Sequence, residues 1–472
     1  MNRSEEMLDG NIRSLLWAFS LPAIVGMIVN SLYNVIDRIF VGRGIGSEGI
    51  AATTVAFPVM IVLLAVSVLI GVGATALISI RLGEGSKDDA EKIAGNAMTL
   101  LILLPVLCTI VFFLFTDQIL IALGASPTVL PYARDFTEII MLGSAIGSIS
   151  MGMNNFIRAE GNPKMAMYTQ LLGAGANIFL NYVFIFKFGW GMKGSAFATI
   201  MAQSISAVWV LSYFFTNKSL LKIRIKNLIP SRPILTGIMA IGFAPFAMQL
   251  ANSVQNLILN KTLVAYGGDM ALSAVGILVS IATLLFMPVL GLAQGAQPII
   301  GFNYGARKYG RVRETWRLAV WAGTFIASAG YLAIRIWPQQ LVGLFSEGDV
   351  VLTNLTVHAM LVYLALIPIV GFQVISSTYF QAVGKARQAT ILSLSRQVLF
   401  LIPCLLILPH FWGIEGVWRT GPIADLLSVA LTATLIFFEM KKLRQDEEKI
   451  KSENQINEIT AVRGVLCGSE SK

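Results

Sequence analysis

Charge is scarce in this 472-residue chain: Asp, Glu, Lys and Arg together make up 13% of it, whereas 56% is hydrophobic and the mean hydropathy is +0.73. That balance excludes an ordinary soluble globular domain. Cysteine and histidine are rarer still, with 3 and 2 residues. Cys108 and Cys404 fall in apolar runs and Cys467 in the polar C-terminal stretch, so no disulfide framework is implied. His358 and His410 stand apart near opposite ends of apolar runs, which argues against a metal site. The sequence contains neither a Gly-x-x-x-x-Gly-Lys-Ser/Thr loop nor His-Glu-x-x-His, and no nucleophile has a base beside it. The chain is therefore expected to be no enzyme and to use no cofactor. Glu5, Glu6 and Asp9 precede the first apolar run in place of the basic region of a cleaved signal peptide, so that run is expected to stay in the mature protein.

What fills the chain instead is apolar helix. A hydrocarbon core needs roughly 20 apolar residues to cross, and twelve such runs are present, at 15-40, 51-80, 93-116, 131-157, 166-187, 194-217, 237-265, 271-301, 316-337, 354-382, 388-410 and 417-440. The fold class expected is all-α, a polytopic membrane protein. Ser86 with Asp89 forms a candidate capping box for the third run, and Pro131 and Pro233 sit where helices begin. With the N-terminus in the cytoplasm, 27 Lys and Arg fall in inner segments, Arg158 and Arg396 among them, and 8 in outer ones. The positive-inside rule thus places both termini in the cytoplasm, and it explains the net charge of +9 without a nucleic-acid partner. The domains expected are an N-terminal six-helix bundle (1-216), a basic cytoplasmic linker beside the headgroups (217-234), a C-terminal six-helix bundle (235-440) and a charged cytoplasmic tail (441-472), helical at first and disordered later.

The second half repeats the first. A shift of 222 positions superposes Asn30, Ser31 and Asn34 on Asn252, Ser253 and Asn256, and Gly73, Gly83 and Ala97 on Gly295, Gly305 and Ala319. Shifts of 222 to 223 then pair Gly161 with Gly384 and Gly191 with Gly413. Six spans per half make the copies parallel, and transporters with internal repeats put their sites near the repeat interface and rock one bundle against the other. The polar residues differ between copies: Leu259 matches Asp37, Phe400 matches Asn177 and Cys404 matches Asn181. Any proton or cation chemistry is therefore expected on the N-terminal side.

Asp37 is the lead residue, because an ionisable group within an apolar run marks an ion or substrate path. It shares a helical face with Asn30 and Asn34. Lying about 33 Å along its run, at 1.5 Å per residue, it also fits a wet helix end, although apolar Ile39, Phe40 and Val41 follow it. Asn177 and Asn181 share a face of the fifth run. Asn30, Asn252 and Asn256 fit interhelical hydrogen bonding as well as a cavity lining, and Gln203, Gln249, Gln255 and Gln373 are open to the same two readings. Tyr33, one turn from Asp37, is either a packed tyrosine or a substrate contact. Arg134 and Glu138 are spaced for an interfacial ion pair, and the 18 Met and many aromatics fit apolar filler.

Several motifs resemble those of the multidrug and toxic compound extrusion (MATE) transporters, nearest their MepA-like bacterial branch. They are Pro22, the Asn-x-x-Asp-x-x-Phe-Val-Gly run ending at Gly42, Arg-x-Glu-Gly-Asn-Pro at Arg158 to Pro163, and the Ala-Asn-Ile-Phe-Leu-Asn-Tyr run from Ala176. The resemblance implies a V-shaped pair of bundles in a bacterial cytoplasmic membrane. It also implies export of small, aromatic organic cations by a monomer in exchange for inward H⁺ or Na⁺. The family's coupling carboxylate falls on Asp37, with Asn34 beside it and Asn177 on the fifth helix. A second Asp is usual where Asn181 stands here, a departure that leaves one carboxylate. A proton needs only that one, whereas Na⁺ at Asp37 would need further oxygens, so H⁺ is favoured. The candidate substrate-binding residues are Asp37, Tyr33, Asn30, Gln203, Gln255 and Asn256. The alternative cargo within the superfamily is a lipid-linked oligosaccharide, moved by a flippase.

Overall fold

The structure is a computed structural model that describes residues 3–216, 219–345 and 349–469, so linker positions 217 and 218 lie outside it. The chain is all-α. In order, its helices are α1 (Arg3–Asp9), α2 (Ile12–Gly44), α3 (Ser47–Gly83), α4 (Lys87–Leu114), α5 (Thr116–Ala122), α6 (Leu130–Leu142), α7 (Ser144–Ala159), α8 (Pro163–Asn181) and α9 (Gly191–Phe215). After the linker come α10 (Arg232–Gly305), α11 (Tyr309–Ile336), α12 (Pro338–Gly343), α13 (Val350–Tyr363), α14 (Ile367–Ala382), α15 (Ala386–Leu394) and α16 (Ile402–Ser469). Wider π turns follow α8 at Tyr182–Lys187 and α15 at Ser395–Leu401.

Eight of these helical stretches are long and apolar enough to cross a membrane, and the pairs α6–α7 and α13–α14, bent by 54° and 53°, bring the number to ten. The two longest stretches each hold a break. At 1.5 Å per residue an unbroken α10 would be about 110 Å long, several times a hydrocarbon core. It turns at Gly268 (φ 63°), as α16 turns at Gly413 (φ 55°), where a left-handed backbone is open to glycine. Counted with these two breaks, the apolar helical segments among the described residues number twelve.

The repeat is written into the backbone. Left-handed residues recur at Gly46 and Gly268, Gly161 and Gly384, and Gly191 and Gly413, and Arg307 (φ 57°) takes the conformation of its counterpart Gly85 (φ 77°). Packing between the halves is reciprocal as well. A Cβ on Gly83 would lie 1.9 Å from the Phe302 carbonyl oxygen, and one on Gly305 would lie 2.0 Å from that of Ile80, the same pair exchanged by 222 positions. Gly242 against Leu69 and Gly295 against Ser20 continue this seam. Leu16 of α2 is buried in the core of the C-terminal half, and its counterpart Ile238 in that of the N-terminal half. All these approaches lie toward the end that carries α1 and the basic turns. Asn30, Asn34 and Asn256, further along α2 and α10, are exposed and take no part in these close approaches.

Several local expectations change. Ser86 caps α4 by position but without a side-chain hydrogen bond, and Asp89 pairs with Lys92 at 2.8 Å instead of closing the capping box. The linker is docked rather than loose. Glu160 Oε2 accepts from Ser219 Oγ (2.7 Å) and the Leu220 amide (3.0 Å), Asn96 holds the Asn227 carbonyl (3.0 Å) and the Ser231 amide (2.6 Å), and Arg224 lies 3.1 Å from Glu91. The tail is helical to Ser469, supported at its start by Arg444–Glu448 and Lys451–Glu447 pairs one turn apart. His358 is not isolated: it meets Glu415 at 2.5 Å. Arg134 does pair with Glu138, at 2.7 Å.

Candidate functional site

Three helices of the N-terminal half converge on one polar chain. Asp37, in the last third of α2, accepts at Oδ1 from Asn181 Nδ2 at 2.7 Å. The same Nδ2 donates to Asn177 Oδ1 at 2.9 Å, four residues back on α8. Asn177 Nδ2 then reaches Thr199 Oγ1 of α9 at 3.4 Å, and Thr199 donates to the Ser195 carbonyl at 3.1 Å. Asn177 and Asn181 are 3% and 0% exposed, so these amides are removed from solvent and must be satisfied internally. Asn181 Oδ1 and Ser195 Oγ are buried without a partner among the described residues. The π turn begins directly after Asn181, and such turns re-aim side chains at functional sites.

Other candidate residues lie elsewhere. Asn34 Nδ2 donates to the Asn30 carbonyl (2.7 Å) and to Asn30 Oδ1 (3.2 Å), so these two form a pair along α2 rather than joining the Asp37 chain. Tyr33 is half-buried, one turn before Asp37. Gln203, one turn beyond Thr199, packs against Gly147 of α7, where a Cβ would come within 2.5 Å of its Oε1. Gln255 and Asn256 belong to the other half. With Leu259, Val275, Leu278, Val279, Tyr363 and Trp418 they line a separate cavity, in which Gln255 Oε1 and Trp418 Nε1 are buried without a partner among the described residues.

Thr199 and Ser195 escaped the sequence reading, since a hydroxyl in a helix carries no signal until its neighbour is known. Arg396 is a correction. Counted by sequence with the inner segments, it lies ten residues into the α15 stretch and is ion-paired to the 1%-exposed Asp425 of α16 at 2.6 Å. A charge within each of two apolar runs was the signal available. A second buried carboxylate, Glu439, is held by Lys385 at 2.5 Å and by Tyr379 at 3.1 Å.

A family model, MatE, matches residues 22–183 and again 245–406. The chain belongs to the MatE family. Its two matched segments carry the internal repeat. Among curated relatives, the Multidrug export protein MepA of Staphylococcus aureus (strain N315) is 27% identical over 423 residues, 90% of this chain and 93% of that protein. Two solved structures share the fold at 25% identity. A MATE in complex with MaL6 superposes with a TM-score of 0.89 over 94% of this chain and 100% of the other. An outward-facing conformation of a multidrug resistance MATE family transporter of the MOP superfamily superposes at 0.88, over 93% and 98%.

Proposed function

We propose that this chain is a secondary active multidrug exporter, moving small organic cations out of the cell by alternating access in exchange for H⁺, with Asp37 as the coupling carboxylate. The observation that carries the reading is Asp37 itself, the one carboxylate in a buried network otherwise made of amides and hydroxyls. Its neighbour presents a hydrogen-bond donor, Asn181 Nδ2, and Asn177 Oδ1 is already engaged by that same group. Sodium would require several free oxygens beside the carboxylate, and of the two amides only Asn181 Oδ1 is unpartnered among the described residues, whereas a proton requires only the carboxylate. Tyr33 and the exposed Asn30 and Asn34 would meet cargo on the same α2 face. The multidrug export relatives support the cargo class over a lipid-linked oligosaccharide, and the one cation beside Asp37, Arg38, lies over the Phe57 ring at 5.9 Å.

In this reading the protein is a monomer of the bacterial cytoplasmic membrane with both termini and the basic end in the cytoplasm, so the end that carries the exposed Asn30, Asn34 and Asn256 opens outward. The test is dye efflux from proteoliposomes under an imposed pH gradient and then an imposed Na⁺ gradient, with wild type and Asp37→Asn. Export driven by the pH gradient alone and lost in Asp37→Asn is the expected result. Sodium-driven export, or efflux retained by the variant, would overturn the coupling assignment.

A further inference from the structure

Arg158 ends α7 and is 6% exposed. Among the described residues no carboxylate pairs with it; its acceptors are neutral amide oxygens. Nη1 donates to Gln294 Oε1 at 2.6 Å and to Asn155 Oδ1 at 3.3 Å. With its amide turned to satisfy both neighbours, Gln170 accepts from Nη2 at 2.5 Å and donates to the Gly26 carbonyl at 3.1 Å. Asn155, Gln170 and Gly26 belong to α7, α8 and α2 of the N-terminal half, but Gln294 belongs to α10 in the other. The guanidinium is therefore a tie between the halves on the side where they close.

We propose that Arg158 is the latch of the cytoplasmic gate, and that the Arg158–Gln294 hydrogen bond sets the balance between the outward- and inward-facing states. The proposal rests on the alternating-access reading above. A buried cation without a counter-charge is tolerated only while acceptors meet its N–H groups. Closed, the amides supply them; if α10 leaves, Gln294 goes with it and water must take its place. The cation thus has two satisfied arrangements, one dry and one hydrated, and few between, as a two-state gate requires. Amide oxygens suit this role better than a carboxylate would, because a full ion pair would hold the gate shut. The latch exists once: the repeat places neutral Gln381 opposite Arg158 and Val72 opposite Gln294.

Because replacing Arg158 itself risks the fold, the test acts on Gln294 in both directions. Spin labels at Lys87→Cys and Arg387→Cys, exposed positions at the basic end of each half, would report its separation in a background where Cys108, Cys404 and Cys467 are serine. Gln294→Leu should raise the separated population about tenfold and Gln294→Glu should lower it by at least as much, the range expected of one hydrogen bond to a charged group. Gln294→Glu should also slow efflux. Unchanged distance distributions in both variants, with melting temperatures moved or not, would overturn the latch while leaving alternating access standing. If the wild type never samples a separated state under an imposed gradient, alternating access fails and the latch with it.

Discussion

Asn181 donates to Asp37 across 2.7 Å from a fully buried position on α8. A neutral donor therefore touches the proposed coupling carboxylate at the position where the resemblance implies a second Asp. Asn181→Asp would place two carboxyl groups in hydrogen-bond contact. Two carboxyl groups so close would share a proton, and the pH profile of efflux should differ from that of wild type. A titration of efflux rate in proteoliposomes reads it, and an unmoved profile would detach Asn181 from coupling.

Asp37→Asn should insert and fold while losing gradient-driven export, since an amide keeps the shape but cannot exchange a proton. Thermal unfolding in detergent separates the two effects: melting within a few degrees of wild type, with efflux at the vesicle background, is the expected pair.

Thr199 closes the polar chain on α9 by accepting from Asn177. Thr199→Val keeps the shape and leaves the Asn177 amide unpaired in a buried site. The expected loss is about 1–3 kcal/mol, measured as unfolding free energy, with a fall in transport because Asn181 is then less firmly aimed.

The Arg396–Asp425 pair predicts a pattern across three variants. Removing one partner strands a charge near the middle of the span, so Asp425→Leu and Arg396→Met alone should each destabilise by about 3–5 kcal/mol. The double variant leaves no charge behind and should recover most of that. Additive losses would show that the two side chains act separately.

Asp9, outside the spans, accepts from the Lys308 ammonium at 2.8 Å, and that hydrogen bond holds its carboxyl below the usual carboxylate value. A depressed value in the folded state means that the contact stabilises above the unfolded carboxylate range. The stabilisation disappears as pH falls through the depressed value. Asp9→Asn should therefore speed hydrogen exchange in Arg3–Asp9 at neutral pH and make little difference in strong acid, where Lys308 keeps its bond to the Leu8 carbonyl (3.2 Å) in both forms.

Much of this protein followed from local pattern alone. Apolar runs of spanning length, the recurrence of Asn-Ser-x-x-Asn, and glycines at corresponding turns defined the helices and the repeat, because lipid requires every backbone group to be satisfied within its own helix. Asp37 stood out for the same reason, as a charge that hydrocarbon does not accept without a function. Which groups touch it was not legible from spacing: the resemblance alone pointed to Asn181 and Asn177, and nothing pointed to Thr199. Asn181 and Thr199 reach the Asp37 network from α8 and α9, through helix packing that no sequence spacing encodes, while Asn34, adjacent on the same helix face, turns to Asn30 instead. Spacing assigns Arg158 and Arg396 only to inner segments, because the tertiary structure alone brings amides of both halves to the one and a carboxylate 29 residues away to the other.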